Sequence, residues 1–368
     1  MIPVASLGHR PYEWICYLAR RADYELVIVC DDLLPVMQSD KRYRAFLETY
    51  GSIVSFEKTL FLSPFSPGRR RPVRERRLRR DECVLGLSDL VLVAEIRAGG
   101  NMDRLAGQFL ERGFPLKVYR PDMFSRSTEG NRKLLASGAP SWSENRQIQV
   151  KASDHRLAPY PVLSGTNRSL DHYPDQGRYL AHFTRSCPGP WPGQDLHDYY
   201  RALADADRDA GHSALDTLRR ILDERKIRGG SLLTRGRTPV VSFTSCDLKR
   251  LNDLIRWRRT LARWTLEPYG LMIPRASLRA LGAAPVIYGD DQIWDRLPDR
   301  QRFRFQFRGQ AEDDWTVEKE WRLTGDLDLD RIFWPDIIIV VPRSYEADAL
   351  SGYGLRIIVL QEGLGVSP

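Results

Sequence analysis

The C-terminal half of the sequence carries polar residues suited to holding and cleaving a nucleotide, each within a short segment that is predicted to be a strand. These segments are "AHFTR", "VSFTSC", "EPYG" with "VIYG", and "EKEWR". A carboxylate beside a ribose stabilises the oxocarbenium-like charge that develops as a glycosidic bond breaks, as it does in glycosidases. Cleavage of the nicotinamide–ribose bond of NAD needs such a carboxylate, and Glu320 is predicted to supply it.

The other residues of this set offer hydrogen bonds and aromatic rings. Alternation along a strand places His182 and Thr184 on one face of their strand, and Ser242 and Thr244 on one face of theirs. A histidine can bond a ribose hydroxyl, a serine or threonine can hold the nicotinamide side, and a tyrosine can stack on a ring. The predicted catalytic residues are Glu320 and His182, and the predicted NAD contacts are Thr184, Ser242, Thr244, Tyr269 and Tyr288.

A purely structural interpretation of the same residues stays open. Glu318 and Glu320 share a face by alternation, and they can pair with Lys319 and Arg322 across a surface strand. An isolated histidine such as His182 is more often a hydrogen-bonded structural residue than a ligand contact. The sequence alone does not choose between a cleft wall and a charged surface strand.

The order of these motifs resembles two groups of proteins. "HFT", "VSFT", "EPYGLMI" and "EKEWR" are similar to motifs of the AbiGi-type abortive-infection families of bacteria. The set also resembles ADP-ribosyltransferases, which carry an Arg or His on the first strand, a Ser/Thr or Tyr strand in the middle and a catalytic Glu on a late strand. These resemblances imply an anti-phage effector domain that acts as an NAD-dependent ADP-ribosyltransferase or NAD glycohydrolase, with NAD as its substrate.

The N-terminal half contains a second arrangement, suited to binding a phosphate. A strand in "LSDLVLVAEI" ends near Glu95, and Gly99, Gly100 and Asn101 then open a helix. Glycines let the backbone approach a ligand closely, and a helix start offers unpaired N–H groups to an anion. Upstream, the basic run 68–80, "GRRRPVRERRLRR", fits either a nucleic-acid contact or a solvated face, and both interpretations stay open.

Residues 77–139, which end in "GNRKLLASGA", resemble the DNA-processing protein A family, a Rossmann-like domain grouped with the SLOG nucleotide sensors. In that family an arginine before the sheet strand and the glycine-rich turns face single-stranded DNA or a nucleotide. The family's longer glycine-rich turn is absent, and only "SLGHR" resembles its first turn. A scaffold or homo-oligomer role for this domain is the alternative. The resemblance implies nucleotide or nucleic-acid contacts at Arg76, Arg77, Arg80, Glu95, Gly99, Gly100 and Asn101.

The elements that must position these residues divide the chain into two domains. Residues 1–144 alternate apolar, β-branched strands with helices, which predicts an α/β Rossmann-like domain with a parallel sheet and right-handed βαβ units. Residues 145–177 lose periodicity and are predicted to be a linker. Residues 178–368 contain many short strands and few long helices, which predicts an α+β domain with a split or irregular sheet.

One further segment, "RWRRTLARW", places Arg256, Arg259 and Arg263 at helical spacing. The pattern predicts a helix whose Trp257 and Trp264 face the core and whose arginines face water. Stacking of the tryptophans on bases is the alternative.

Composition limits the class of protein. Apolar residues make up 42% and charged residues 28%, and no apolar run approaches the roughly 20 residues of a membrane span, so we expect no membrane association. The N-terminus lacks the features of a secretory signal, which predicts a cytoplasmic protein. The five cysteines and six histidines are dispersed, so neither disulfides nor a metal site is expected. The net charge of +8, carried mainly by arginine, suits a polyanionic partner.

Overall fold

The structure, a computed structural model, divides into two compact units. It describes residues 1–34, 39–66, 71–120, 128–142, 176–187, 189–207, 210–231, 234–255, 257–258, 263–308 and 315–360. The first unit is formed from residues 1–158 with 189–211, and the second from residues 159–188 with 212–368. The linker predicted for residues 145–177 lies outside the described residues except for its last two positions.

The first unit is an α/β structure. Its elements are β1 (Val4–Ala5), α1 (Arg10–Arg21), β2 (Leu26–Val29), α2 (Asp40–Tyr50), β3 (Thr59–Leu62), α3 (Val73–Gly86), β4 (Val91–Val93), α4 (Asn101–Glu111), β5 (Leu116–Tyr119), α5 (Glu129–Ala136), β6 (Ser141–Trp142) and α6 (Leu196–Ala204). One sheet has the strand order β1-β2-β3, a second has the order β4-β5-β6, and the strand pairs of both are parallel. The predicted parallel α/β class is confirmed.

The strands of the first unit form where β-branched and apolar residues follow one another. In β2, "LVIV", three of the four residues are buried, as expected for a parallel strand that is covered on both faces. The strand Val91–Val93, the helix Asn101–Glu111 and the strand Leu116–Tyr119 follow in order, and the two strands pair in parallel. The predicted βαβ unit is therefore present.

Most of the basic run forms helix α3. Pro72 precedes the first turn, where its fixed φ and missing N–H cost nothing. The helix buries Val84 and Leu85 near its end and also buries Arg80 and Asp81, which the pattern of charges alone does not indicate. Residues 68–70 of the run lie outside the described residues.

Helix α6 follows the strand Tyr179–Phe183 of the second unit in sequence, but the helix itself belongs to the first unit. The rings of Trp14 on α1 and Tyr200 on α6 lie 5.7 Å apart, and Tyr199 and Tyr200 are both buried. The Tyr200 hydroxyl donates a 2.8 Å hydrogen bond to Glu13 of α1. The predicted division assigned this helix to the second domain, whereas its observed contacts are with α1.

The second unit is built on a mixed seven-stranded sheet. Its elements are β7 (Tyr179–Phe183), α7 (Ala214–Glu224), β8 (Lys226–Ile227), β9 (Val240–Thr244), α8 (Leu251–Leu254), β10 (Trp257–Arg258), β11 (Arg263–Trp264), β12 (Gly270–Pro274), α9 (Arg275–Ala280), β13 (Ala284–Pro285), β14 (Ile287–Gly289), α10 (Asp291–Arg296), β15 (Phe305–Phe307), β16 (Glu320–Thr324), β17 (Leu327–Asp328), β18 (Ile338–Val341), α11 (Ser344–Leu350) and β19 (Arg356–Val359). The strand order is β13-β16-β9-β7-β12-β18-β19. The β18–β19 pair is parallel and the other pairs are antiparallel, in agreement with the predicted α+β class.

Both faces of this sheet are covered. One core contains Leu180, Val241 and Phe243 from neighbouring strands, together with Leu218 of the amphipathic helix α7. A smaller core on the other face includes Ala181. Alternation along each strand therefore decides which core a residue joins.

The helix predicted for "RWRRTLARW" is wrong. Trp257–Arg258 and Arg263–Trp264 form two short antiparallel strands, with Trp257 opposite Trp264. Positions seven residues apart fit one face of a helix, and here they are opposite positions of two antiparallel strands. Arg256 and Arg259 lie outside the described residues.

Candidate functional site

The strands that carry Glu320, Ser242 and His182 are neighbours in the seven-stranded sheet. β16 pairs with β9 along its length, with Glu320 opposite Thr244 and Arg322 opposite Ser242. β9 in turn pairs with β7 where Ala181 lies opposite Thr244. The three segments selected from the sequence are therefore adjacent although they span 138 positions from residue 182 to residue 320.

Ser242 and Glu320 are in direct contact. The Ser242 hydroxyl donates a 2.7 Å hydrogen bond to Oε1 of Glu320. Residues that are diagonal neighbours on an antiparallel pair share a face, and a long side chain bridges that separation. Ser242 is exposed, and the Glu320 side chain keeps 11% of its surface accessible. The pair therefore lies at the surface of the sheet, where a ligand can reach it.

Arg322 holds the same carboxylate from the other side. Its Nε donates to Glu320 Oε1 at 2.8 Å and its Nη2 donates to Oε2 at 3.1 Å. The Arg322 side chain is only 3% exposed. Its remaining donors bind Gln306 Oε1 at 2.6 Å and the carbonyl oxygen of Phe305 at 2.7 Å. The ion pair that the structural interpretation anticipated is therefore observed, and it coexists with the Ser242 contact.

Tyr288 adjoins this carboxylate through the backbone. The backbone N–H of Glu320 donates to the Tyr288 hydroxyl at 3.3 Å. Burial raises the pKa of Tyr288 to about 12, so the phenol stays protonated at neutral pH. Because the phenol oxygen accepts this bond, its own proton is free to be donated elsewhere. Tyr288 is thus placed as a hydrogen-bond donor beside Glu320.

His182 reaches Ser242 from a different direction. Its ring meets the Phe243 ring edge-on at 5.9 Å, on the face of the sheet opposite to the Ser242 hydroxyl. His182 Nδ1 lies 2.9 Å from the Ser242 carbonyl oxygen, which can only accept, so Nδ1 carries the proton. Desolvation lowers the pKa of His182 to about 4. The ring is therefore neutral at pH 7, and its Nε2 is a hydrogen-bond acceptor.

Glu318 does not share a strand face with Glu320, which corrects the alternation predicted from the sequence. Strand β16 begins at Glu320, and Glu318 ends a single 3₁₀ turn formed by Trp315–Glu318. Lys319 between them has a φ of +44°, a left-handed conformation that breaks the period of two. The positive φ also brings the Lys319 carbonyl oxygen within 3.1 Å of the Ser245 hydroxyl. Alternation along this segment therefore starts only at Glu320.

Thr184, Thr244 and Tyr269 have hydroxyl groups engaged by the protein. Thr184 is buried and donates to the Ala214 carbonyl oxygen at 2.8 Å. Thr244 donates to the Glu318 carbonyl oxygen at 2.6 Å. The Tyr269 hydroxyl donates to Glu346 Oε1 at 2.8 Å, and burial raises the pKa of Tyr269. The structure thus groups Ser242, Tyr288 and Glu320 and leaves these three residues in contacts that tie the sheet to its neighbours.

In the first unit, Arg80 lies in a buried polar network. Its Nη2 donates to Asp81 Oδ1 at 2.8 Å, and both side chains are almost fully buried. The Tyr12 hydroxyl donates to Oδ1 of the same aspartate at 3.1 Å, and Asn101 Nδ2 donates to its Oδ2 at 2.9 Å. Asp81 therefore joins the start of α1 to the start of α4. Arg80 and Asn101 both bond to this aspartate.

The glycine turn after β4 has the conformation predicted for a close backbone approach. Gly99 has a φ of +74°, and its N–H donates to Asp103 Oδ2 at 2.9 Å. Gly100 is the N-cap residue of α4, so no N-cap side chain binds the backbone N–H groups of the first turn. Glu95 is exposed just after the strand. At this turn, Glu95 and Gly99 are thus exposed.

Arg76 and Arg77 differ in their contacts. Arg76 forms an ion pair with Asp32, whereas Arg77 is exposed. Desolvation, followed by the charges of Arg80 and Arg77, lowers the pKa of His9, the exposed N-cap residue of α1. The positive charge of Arg77 is therefore felt at His9.

Asn131 and Gly130 are structural residues that the sequence interpretation did not separate from the rest of "GNRKLLASGA". Asn131 is fully buried, accepts from the Ile96 N–H at 2.7 Å and donates to the carbonyl oxygens of Ala94 and Tyr119. A side chain at Gly130 would place its Cβ 2.6 Å from the Ile96 carbonyl oxygen. The Gly-Asn dipeptide itself was the available signal for this close approach.

Two further observations bear on the class of site. Among the described residues, no group of three or more His, Cys, Asp or Glu side chains is arranged to hold a metal ion. Across the same residues, none of the helices has the length and apolar character required to cross a bilayer.

Comparisons with known structures give three matching chains, two of which are described here. No protein-family model matches the chain, and no curated protein matches its sequence. DNA processing protein A (DprA) from Streptococcus pneumoniae is similar over 40% of this chain and 49% of its own, with 17% identity and a TM-score of 0.31. DNA processing protein A from Helicobacter pylori, described for its single-stranded DNA binding mode, covers 38% of this chain and 74% of its own, with 17% identity and a TM-score of 0.27. The chain spans about half the length of the Streptococcus protein.

Proposed function

We propose that the second unit is an NAD-dependent ADP-ribosyltransferase-like or NAD glycohydrolase effector, and that the first unit binds a nucleotide or nucleic acid that controls it. The observation that carries the proposal is the 2.7 Å hydrogen bond from Ser242 to Glu320 between adjacent strands. The resemblance to ADP-ribosyltransferases implies roles for the same two residues. A cytoplasmic role in anti-phage defence rests on the resemblance to abortive-infection families.

The chemistry proposed for the second unit uses the charge of one carboxylate. As the C1′–N bond of NAD breaks, its electron pair goes to nicotinamide and positive charge develops on the ribose. Glu320 would stabilise that charge and orient a ribose hydroxyl, and Tyr288 would donate a hydrogen bond beside it. The acceptor, water or a nucleic-acid atom, forms the new bond to C1′ and releases a proton. His182, predicted to contact the same dinucleotide, has its ring on the opposite face of the sheet, so it would support the site only through its hydrogen bond to the Ser242 carbonyl oxygen.

The binding role proposed for the first unit uses charge at the ends of its strands. Arg77 and His9 are both exposed, the charge of Arg77 lowers the pKa of His9, and the turn at Gly99 precedes a helix start with no side-chain cap. Backbone N–H groups at such a start attract phosphate oxygens, and arginine adds a bidentate contact. A homo-oligomer formed through this unit is compatible with the same function.

The deciding experiment measures nicotinamide release from NAD by the full-length protein, with and without single-stranded DNA or RNA. Glu320→Gln is expected to lower the rate at least about a hundredfold, because the amide carries no charge to stabilise the ribose. Glu318→Gln is the matched control, since that residue lies in the preceding turn, and it should keep the wild-type rate. Equal turnover by wild type and Glu320→Gln would remove Glu320 from the mechanism.

A second candidate function is a non-enzymatic sensor of nucleic acid or a signal nucleotide that acts through a partner. The specific observation in its favour is the ion pair of Glu320 with the buried Arg322, which is formed by two hydrogen bonds. A structural role in this ion pair is sufficient to explain why a carboxylate is present at position 320. This function predicts salt-sensitive binding through the arginines of α3 without any consumption of NAD. The same assay separates the two candidates.

A further inference from the structure

The donors around Glu320 are distributed unequally between its two oxygens. Oε1 accepts from the Ser242 hydroxyl at 2.7 Å and from Arg322 Nε at 2.8 Å. Oε2 accepts from Arg322 Nη2 at 3.1 Å, and this is its one acceptor bond within the described chain. A carboxylate oxygen has two lone-pair directions, so Oε1 is saturated and Oε2 has one direction open.

Arg322 is itself fixed by the protein. Its Nη2 also donates to Gln306 Oε1 at 2.6 Å, and its Nη1 donates to the Phe305 carbonyl oxygen at 2.7 Å. A guanidinium group is planar and rigid, so a guanidinium held at one end places its other two donors at set positions. The orientation of Glu320 is therefore imposed from β15 through Arg322, and not by Ser242 alone.

We propose that Arg322 is the positioning residue of this site, which turns Glu320 so that the open direction of Oε2 receives a single hydroxyl group of a ribose. The inference rests on the proposed function and adds to it which oxygen meets the ligand and which residue selects it. A lysine at position 322 keeps the positive charge but has no fork, so it cannot hold both oxygens at once. Charge alone then leaves the carboxylate free to rotate.

The test compares Arg322→Lys with wild type in steady-state nicotinamide release from NAD. A misplaced carboxylate costs the chemical step more than ground-state binding, so kcat is expected to fall about a hundredfold while KM changes by less than about twofold. Arg304→Lys is the matched control, because Arg304 also donates to a backbone carbonyl oxygen, that of Pro285, without touching Glu320. A kcat for Arg322→Lys within about twofold of wild type would overturn the proposal.

Two additional measurements cover the other outcomes. Gln306→Ala keeps Arg322 but removes the hydrogen-bond acceptor of its Nη2, and kcat is expected to fall about tenfold. This variant decides the question if Arg322→Lys does not fold. Crystal structures of wild type and the folded variant give a readout that does not depend on turnover. The Ser242–Glu320 contact should open beyond about 3.5 Å in the variant, and an unchanged contact would refute positioning. If the wild-type protein releases no nicotinamide, the proposed function is refuted. The comparison of the two crystal structures still decides whether Arg322 positions Glu320.

Discussion

Ser242 lies between the two residues that the sequence selected for catalysis and contacts each through a different group. Its hydroxyl bonds to Glu320 at 2.7 Å, and its backbone carbonyl oxygen lies 2.9 Å from His182 Nδ1. The two neighbours therefore approach one residue from opposite faces of the sheet. A substitution of the Ser242 side chain removes one contact and keeps the other.

Ser242→Ala should therefore weaken catalysis without disturbing His182. Loss of one charge-assisted hydrogen bond corresponds to about 1.5 kcal/mol, so nicotinamide release is expected to fall about tenfold. The midpoint of thermal unfolding should stay close to that of wild type, because Ser242 is exposed. Ser245→Ala, which removes a 3.1 Å bond to the Lys319 carbonyl oxygen, is the control and should retain the wild-type rate. Equal effects of the two substitutions would count against a role for the Ser242 hydroxyl.

The contact between Ser242 and Glu320 could be anticipated in part from local sequence. Ser242 lies in the apolar, β-branched run "VVSFT", and Glu320 begins "EWRLT", in which polar and apolar residues alternate, so strand structure follows from both patterns. Which strands become neighbours depends on packing between segments far apart in the chain, and no local pattern encodes that. The positive φ of Lys319 was equally hidden, because lysine rarely adopts it and nothing nearby in the sequence requires it.

The N-terminal half shows the same division between local pattern and tertiary contact. The alternation of buried strands and amphipathic helices predicted the parallel α/β class, and it was confirmed. Arg80 was one arginine in a basic run, and its burial depends on Tyr12 of α1, whose ring lies 5.3 Å from its guanidinium group and whose hydroxyl binds the neighbouring Asp81. A run of charges indicates solvent exposure on average, so a single buried member cannot be recognised by composition.

Arg80→Met is expected to destabilise the first unit strongly. The substitution leaves Asp81 as a buried carboxylate without its principal partner, which typically costs about 3–5 kcal/mol in the free energy of unfolding. Urea denaturation of the full-length protein, followed by circular dichroism, measures the loss. Arg79→Met is the control, because Arg79 is 61% exposed in its pair with Glu82. A free energy of unfolding for Arg80→Met within about 0.5 kcal/mol of wild type would show that the network contributes little.

Arg77→Ala is expected to weaken nucleic-acid binding and to leave the stability of the first unit unchanged. Arg77 is exposed, so the free energy of unfolding should change by less than about 0.5 kcal/mol. Binding of single-stranded DNA should weaken, and the slope of log K against log salt should become shallower by about 0.7 if one phosphate contact is lost. Fluorescence anisotropy with a labelled oligonucleotide at several salt concentrations measures both quantities. An unchanged slope would place the nucleic acid away from Arg77.

His182 should make the stability of the second unit depend on pH in the acidic range. Desolvation lowers its pKa from 6.5 to about 4 in the folded protein, while the unfolded chain keeps the ordinary value. As pH falls from 6.5 towards 4, the unfolded state binds a proton that the folded state does not, so the free energy of unfolding decreases. Because the ring is partly exposed, the expected loss is about 2 kcal/mol, and it should be complete near pH 4.

The measurement compares urea unfolding of wild type and His182→Gln between pH 7 and pH 4. Glutamine can still donate to the Ser242 carbonyl oxygen but does not titrate, so the curve of the variant should be flatter than that of wild type by about the same 2 kcal/mol. His197→Gln, at a histidine whose side chain is 45% exposed, is the control and should follow wild type. Parallel curves for wild type and His182→Gln would mean that His182 keeps its ordinary pKa. In that case the histidine would carry charge near pH 6, and its Nε2 would donate a hydrogen bond instead of accepting one.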